Sequence, residues 1–513
     1  MRFPAATKSW AGATAKSRAL GPAISSVAHP PQAMMLFNRA SLVILVTLAT
    51  TSMVFGTWTL GNIAPQTFVE PMTVKPIFSP DNSLYYLKKL IDSANVTLEV
   101  QNQYILKWSG TQAWLADGNP IMQAIYAASQ RGVSVRVILE GTVDSDAAGA
   151  FLTDIGIPTR YIGTGLYNHI KGVIVDSGIV AVMSINLGKT SLTQNREAGA
   201  IVYSPNVAQY FLNVFNYDWA NGTTPSANGT SVVPSFTPAV VSSPSVDYAS
   251  FTKVLNMTAF TNPDNNYAYN LFVNAIAGTR YYFHAVVYQF TQTRIATAIL
   301  NMLSAHPGID CGVVLSSKRV GTDNSTNEVQ ALYNAGCNAY SSNSSLQYTH
   351  AKFWTFDNQT CVFSGNWAAT SLTSSSTANS YGVNREWGLL INDWYFQDVY
   401  NKVFVHDALI STLLFSPAWC TASYDACGVC GGSNSTCPAD FVTTPSSFPI
   451  PPSYSPFSSS PSPTSSPSPA SSPSSTSSPS TGASGVPTNA TAPRDSSVVF
   501  FALLLALFAL LYL

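Results

Sequence analysis

Two short stretches of this chain carry side chains able to do chemistry together. The first runs His169-Ile-Lys171, then Asp176, Ser184-Ile-Asn186 and Asn195-Arg196-Glu197. The second repeats the order as His350-Ala-Lys352, Asp357, Ser364-Gly-Asn366 and Asn384-Arg385-Glu386. On an extended strand, His and Lys two positions apart project from one face, so each copy offers an imidazole beside a fixed positive charge. Asp176 and Asp357 follow their histidines by seven positions, an odd number, and would point away on an unbroken strand. They are therefore assigned a structural role at the strand's far end. If the copies meet about a pseudo-twofold axis, two His, two Lys and two Asn gather at one site. Lys and Asn donors would neutralise the equatorial oxygens of a phosphodiester in its transition state, one imidazole would attack in line, and the other would protonate the leaving oxygen. No metal or other cofactor is required by that scheme.

Repetition gives the pattern its weight. A single HxKxxxxD match is a weak signal in 513 residues, whereas two matches, each followed by Ser-x-Asn and Asn-Arg-Glu, form a duplicated unit. The histidines lie 181 positions apart and the Asn-Arg-Glu triplets 189 apart, which places an eight-residue insertion in the second copy, expected in Ser371–Tyr381. His284, His306 and His406 lack such a context and read as satisfied core residues.

The elements that must position these residues are duplicated too. In the first half, helical periodicity over Ser83–Asp92 is followed by a strand-like run from Val96 to Leu106, a helix over Pro120–Arg131 and an alternating strand over Val133–Leu139. The second half offers a helix near Ala268–Ala277, an apolar run Tyr281–Phe290, a helix over Arg294–Ser304 and a strand Gly312–Ser316. The expected fold is α/β: two tandem related α/β sandwich lobes packed about a pseudo-twofold axis with one shared active site. The lobes are placed at 59–220 and 251–415, joined by a Ser/Thr/Pro-rich connector at 221–250.

These residues resemble the phospholipase D superfamily, whose hallmark is a pair of HxKxxxxD motifs per active site. The resemblance covers roughly residues 75–410 and implies a two-lobed α/β sandwich and a covalent phosphohistidine intermediate without a metal cofactor. It also implies His169 as nucleophile and His350 as general acid, with Lys171, Lys352, Asn186 and Asn366 gripping the phosphate. Glu197 and Glu386 are similar to the family carboxylates that hydrogen-bond the histidines' other nitrogen. The first copy reads Met183-Ser184 where the family often has Gly before this serine, whereas the second follows Ser364 with Gly365, so backbone approach to the phosphate is expected to differ between halves.

Family membership specifies the bond type better than the substrate. The leading expectation is headgroup hydrolysis or exchange on a glycerophospholipid at a membrane surface. The alternatives are a single-stranded nucleic acid 5′ exonuclease, similar to the endolysosomal members, and a catalytically silent cell-surface protein. Tyr104, Trp108, Tyr167, Tyr348 and Trp367 lie near the motifs and could stack bases, but packing is the favoured reading. No obligate protein partner is inferred.

Composition and the chain ends set the compartment expected. Apolar residues make up 46% of the chain and charged ones 10%, with 24 basic against 25 acidic side chains. That excludes a disordered polyelectrolyte and argues against charge-driven binding to duplex DNA. Residues 1–35 form a basic extension, read as sequence ahead of a start at Met34 or Met35 or as a transit peptide, and 36–58 a signal peptide or signal-anchor. Residues 416–440 form a Cys-rich cap, 441–497 a Ser/Pro-rich stalk, and 498–513 an apolar tail read as a GPI signal or anchor. Nine sequons, at Asn95, Asn221, Asn228, Asn256, Asn324, Asn343, Asn358, Asn434 and Asn489, point to secretory passage. The cap cysteines Cys420, Cys427, Cys430 and Cys437 favour disulfides over zinc, and Cys311, Cys337 and Cys361 leave one thiol over. A membrane-anchored protein at the cell surface is expected, with the endolysosomal lumen as alternative.

Overall fold

The computed structural model describes residues 63–415 apart from short internal stretches, of which 320–324 and 374–382 are the longest. Both chain ends, the cap, the stalk and most of the expected insertion lie outside the described residues, as do the sequons Asn228, Asn324, Asn434 and Asn489. In chain order the first lobe comprises β1 (Gln66–Ser79), α1 (Ser83–Asp92), β2 (Thr97–Asn102), α2 (Pro120–Gln130), β3 (Ser134–Leu139), α3 (Val143–Asp154), β4 (Thr159–Tyr161), β5 (Leu166–Asn168), β6 (Lys171–Val175), β7 (Ile179–Met183), α4 (Lys189–Thr193), β8 (Glu197–Tyr203) and α5 (Pro205–Asn221). The second comprises β9 (Phe251–Asn262), α6 (Tyr267–Gly278), β10 (Tyr282–Val287), α7 (Thr293–Ala305), β11 (Asp310–Leu315), α8 (Ser325–Asn334), β12 (Asn338–Ser341), β13 (Lys352–Phe356), β14 (Gln359–Phe363), β15 (Val383–Asn392), α9 (Trp394–Leu409) and β16 (Thr412–Leu413). The apolar runs expected from Val96 and Tyr281 are strands only to Asn102 and Val287. Beyond them the chain leaves the ladder to line the site, Ile105 bridging Leu187 and Phe290 bridging Trp367.

The strand order is a near-palindrome. It reads β4-β3-β2-β6-β7-β8-β1 in the first lobe and β9-β15-β14-β13-β10-β11-β12-β16 in the second, the halves meeting where β1 and β9 pair antiparallel with Val74 opposite Phe251. Burial alternates only in the first part of each strand, with Met72 and Val74 inside on one and Leu255 and Met257 inside on the other, and the last six residues of both are buried throughout. Each half of the sheet has an outer core under its own helices, and a third core lies between the lobes, containing residues of α5 and α9. Trp387 of β15 enters this middle layer over Gly172 of β6, where an added Cβ would lie 2.2 Å from the indole. Truncating an indole so buried costs about 3–5 kcal/mol.

Helix ends are specified locally. Asn119 accepts from the amides of Ile121 and Met122, with Pro120 in the first turn; Ser204 and Asp393 cap α5 and α9 through Val207 and Phe396.

Candidate active site

Each motif histidine sits just ahead of a strand and is stitched to the other lobe. His169 precedes β6, and its backbone N–H donates to the Arg385 carbonyl at 3.1 Å; His350 precedes β13 and donates likewise to Arg196 at 2.8 Å. Asn168 of β5 pairs in parallel with Arg385 of β15, while Thr349 bridges Arg196. The premise of one unbroken strand is thus corrected: lysine opens the strand and histidine belongs to the interlobe seam.

The carboxylates complete the crossing. His169 Nδ1 lies 2.7 Å from Glu386 Oε1, and His350 Nδ1 lies 2.9 Å from Glu197 Oε2. Both glutamates are fully buried, and each is held by the serine of its own copy, Ser184 on Glu197 at 2.6 Å and Ser364 on Glu386 at 2.5 Å. Asn195 and Asn384 add amide donors at 3.0 and 3.2 Å. Burial by itself would raise both glutamates, yet the facing imidazole and lysine hold each below the usual carboxylate range. With Nδ1 so engaged, Nε2 is the nitrogen left to react.

The lysines belong to one electrostatic unit. Lys171 Nζ donates to His169 O and to Gln103 Oε1, and Lys352 Nζ donates to His350 O. Burial lowers Lys171 to about 7 and Lys352 well below its usual value, although both glutamates pull upward on each. Burial also lowers both imidazoles to about 4, against the pull of the carboxylate each faces, and Lys171 and Lys352 act on both rings. Desolvation of cationic groups this close together favours loss of their protons, and an anion bound beside them would favour keeping them.

Asn186 and Asn366 flank this cluster. Asn186 Nδ2 donates to the Tyr104 hydroxyl and Asn366 Nδ2 to Gln289 Oε1, both at 3.0 Å, and each amide has a second N–H beyond the one so used. Tyr104 and Gln289 occupy equivalent positions after β2 and β10. Their neighbours differ as well: Gln103 contacts Lys171, whereas the Tyr288 ring lies 5.4 Å from Lys352 Nζ and 4.8 Å from the His350 ring. Among the described residues no group of three or more His, Cys, Asp or Glu is arranged to hold a metal ion.

Asp176 and Asp357 lie one residue past β6 and β13, at φ 50° and 48°. Asp176 accepts from the amides of Asn95, Val96 and Thr97, and Asp357 from those of Arg280, Tyr281 and Tyr282, so each pins the start of the adjacent antiparallel strand, β2 or β10.

Four further aspartates escaped the sequence reading. Arg196 is clamped by Asp81 and Asp407, and Arg385 by Asp264 and Asp218, each arginine thereby joining its own lobe to the long helix of the other. The signal was present: Ser79-Pro-Asp81-Asn recurs as Asn262-Pro-Asp264-Asn, and Asp218 and Asp407 are separated by the same 189 positions as the triplets.

Two of the three histidines expected in the core are corrected. His284 is buried, stacked on Phe404 and bonded to Asn401, but His306 is partly exposed after α7 and the His406 side chain is 59% exposed on α9. Neither is a core residue. Trp367 packs in the second lobe's core against Trp354 and Phe290, while Tyr104, Tyr167 and Tyr348 stand near the site. Trp108 packs at the edge of the first core. Cys311 and Cys337 form a disulfide, leaving Cys361 free and buried. Asn95, Asn221 and Asn256 are exposed; Asn343 and Asn358 are half-buried.

A family description, cardiolipin synthase, PLD-like domain, matches residues 87–219 and 272–408, both lobes and more than half of the chain. This chain belongs to the phospholipase D-like family. Members of that superfamily are phosphodiesterases and transferases. Among solved structures, this phospholipase D-like chain is similar to a phospholipase D family member, Nuc, from Salmonella typhimurium, with 27% identity, 29% of this chain and 96% of that one covered, and a TM-score of 0.25. It is similar also to phosphatidylserine synthase from Haemophilus influenzae Rd KW20 (11% identity, 67% and 89% covered, TM-score 0.48) and to polyphosphate kinase from Porphyromonas gingivalis (13%, 67% and 50%, TM-score 0.45). No curated protein matches it.

Proposed function

We propose that this protein cleaves or exchanges the headgroup of glycerophospholipids through a phosphohistidine intermediate. The observation that carries the reading is the pair of imidazoles, each oriented by a carboxylate of the opposite lobe, beside two buried lysines. His169 Nε2 forms a bond to phosphorus as the bond to the headgroup oxygen breaks, and His350 gives its proton to that oxygen. Water or an alcohol then attacks phosphorus and passes its proton to His350, and the N–P bond breaks to free His169. Arrival of the substrate's negative charge favours protonation of the lysines and of one imidazole. A lipid substrate is supported by the family description, which names a cardiolipin synthase. The apolar chain ends would hold the enzyme at an extracytoplasmic membrane surface, with no obligate protein partner.

The test offers the full chain and its His169→Asn variant phosphatidylcholine vesicles and a 5′-hydroxyl single-stranded oligonucleotide, with chelator present. Choline release that vanishes in the variant supports the proposal. Oligonucleotide shortening without choline release moves the protein to the nuclease alternative, and silence on both substrates removes the lipase reading.

A further inference from the structure

The two halves of the site are near copies, yet two serines at matching positions behave differently. Ser191 and Ser371 each follow the motif serine by seven residues and both are buried. Ser371 Oγ donates to Glu386 Oε1 at 2.8 Å and accepts from Asn384 Nδ2 at 2.9 Å. Ser191 makes no bond to Glu197; its Oγ only accepts from Asn195 Nδ2 at 3.5 Å. The reason lies at the residue after the motif serine. In the second copy this is Gly365, where an added Cβ would lie 2.4 Å from the Phe363 ring and 2.8 Å from Ser371 Cβ, so that glycine is what lets both side chains close in; in the first it is Ile185, fully buried. Glycine lets the serine approach the carboxylate, and isoleucine occupies the corresponding place.

Glu386 therefore receives Ser364, Ser371, Asn384 and His169, whereas Glu197 receives Ser184, Asn195 and His350. We propose that Ser371 is the positioning residue that makes the two histidines unequal, taking up part of the Glu386 charge so that His169 is the less basic imidazole and a single proton entering the pair resides on His350. The charged groups acting on the two rings are otherwise matched, one glutamate with Lys171 and Lys352 in each case. Neutral His169 is then ready to attack and protonated His350 to donate. That catalytic consequence rests on the phosphohistidine reading; the ordering of the two rings does not.

The test is histidine-selective 15N labelling of the full chain, with His169→Asn and His350→Asn used for assignment and the imidazole nitrogens followed against pH. His350 is expected to titrate at higher pH than His169. Ser371→Ala should raise the His169 midpoint by about half a pH unit, Ser371→Thr should restore it, and Ser191→Ala should leave both rings in place. If Ser371→Ala does not fold, the order of the two midpoints in the parent and in Ser371→Thr still decides. A higher midpoint for His169 in the parent, or equal responses to the two alanine variants, overturns the proposal. The correct order in a protein that releases no choline refutes the lipid reading and leaves this one standing.

Discussion

Glu386, on the second lobe, holds the ring of His169, on the first, through a 2.7 Å contact between Oε1 and Nδ1, and the residue before it receives the His169 amide. The same strand thus fixes the backbone and the ring of a histidine lying 217 residues away. Neither lobe can orient its own imidazole. Activity of this kind requires both lobes docked, because each supplies the carboxylate that the other's histidine needs.

Glu386→Gln keeps the size of the side chain but removes the charge that selects the Nδ1–H tautomer. We expect kcat on phosphatidylcholine to fall by about 100- to 10,000-fold, by analogy with a triad aspartate that orients its histidine. KM should change far less. A circular dichroism spectrum matching the parent would assign the loss to the ring.

The two histidines separate when the leaving group needs no proton. With a p-nitrophenyl ester of phosphatidic acid, His350→Asn should still release p-nitrophenol in a burst and accumulate phosphorylated protein, while His169→Asn should do neither. Equal silence from both variants would contradict the division of roles.

Lys171 sets a pH window. Burial lowers its ammonium to about 7, so its charge is present below that pH and lost above it. Sulfate, a dianion throughout, should bind about tenfold more weakly at pH 8.5 than at pH 6, measured by titration calorimetry. The linkage sign is independent of the anion: an unfolded lysine keeps its proton up to about 10.5, so the unfolded state binds more protons between pH 7 and that value. Its contribution to stability in anion-free buffer therefore rises across that window. Lys171→Met should flatten both dependences.

The disulfide Cys311–Cys337 closes a loop with a sequence separation of 26, joining the start of β11 to the approach to β12. Replacing both cysteines by serine should cost about 3–4 kcal/mol in the chain-entropy picture, read from urea midpoints. Cys361 is fully buried, and burial pushes its thiol well above the usual range. Peptide mass spectrometry after alkylation of the native protein should find it unmodified.

What was legible in the sequence was whatever the duplication displayed. The helices over Ser83–Asp92 and Pro120–Gln130 and the strand ending at Leu139 followed from periodicity, because each packs one apolar face on a sheet. The reactive residues stood out because two copies kept one order. The two longest central strands were overlooked, β1 because Pro71 and Pro76 interrupt its pattern and β9 because Asn256, Thr258 and Thr261 dilute it. The crossing of Glu386 to His169 and Glu197 to His350 lay beyond reach, since a repeat shows equivalence and does not show which copy faces which. Ser371 illustrates the same limit: its neighbour Gly365 was noticed, but only packing reveals what the missing side chain admits.

The arginine clamps offer the sharpest test of the interlobe seam. Arg385 is fully buried between Asp218 and Asp264, and Asp218 is also held by Gln101 at 2.9 Å. Asp218→Asn removes one charge from a dry three-member cluster and leaves the guanidinium partly uncompensated, which should cost about 3–5 kcal/mol. Asp407→Asn, at the equivalent place beside Arg196, should cost less, because the partner Asp81 there keeps more contact with solvent, its side chain 15% exposed against none for Asp264. Activity should then decline in a particular order. Asp218→Asn loosens the strand that carries Glu386 and so acts on His169, whereas Asp407→Asn acts on His350 through Glu197. Burst kinetics with the p-nitrophenyl ester should show a slowed burst in the first variant and an unaltered burst with slowed turnover in the second. Identical kinetics in both would mean that the clamps hold the lobes together without transmitting position to the imidazoles.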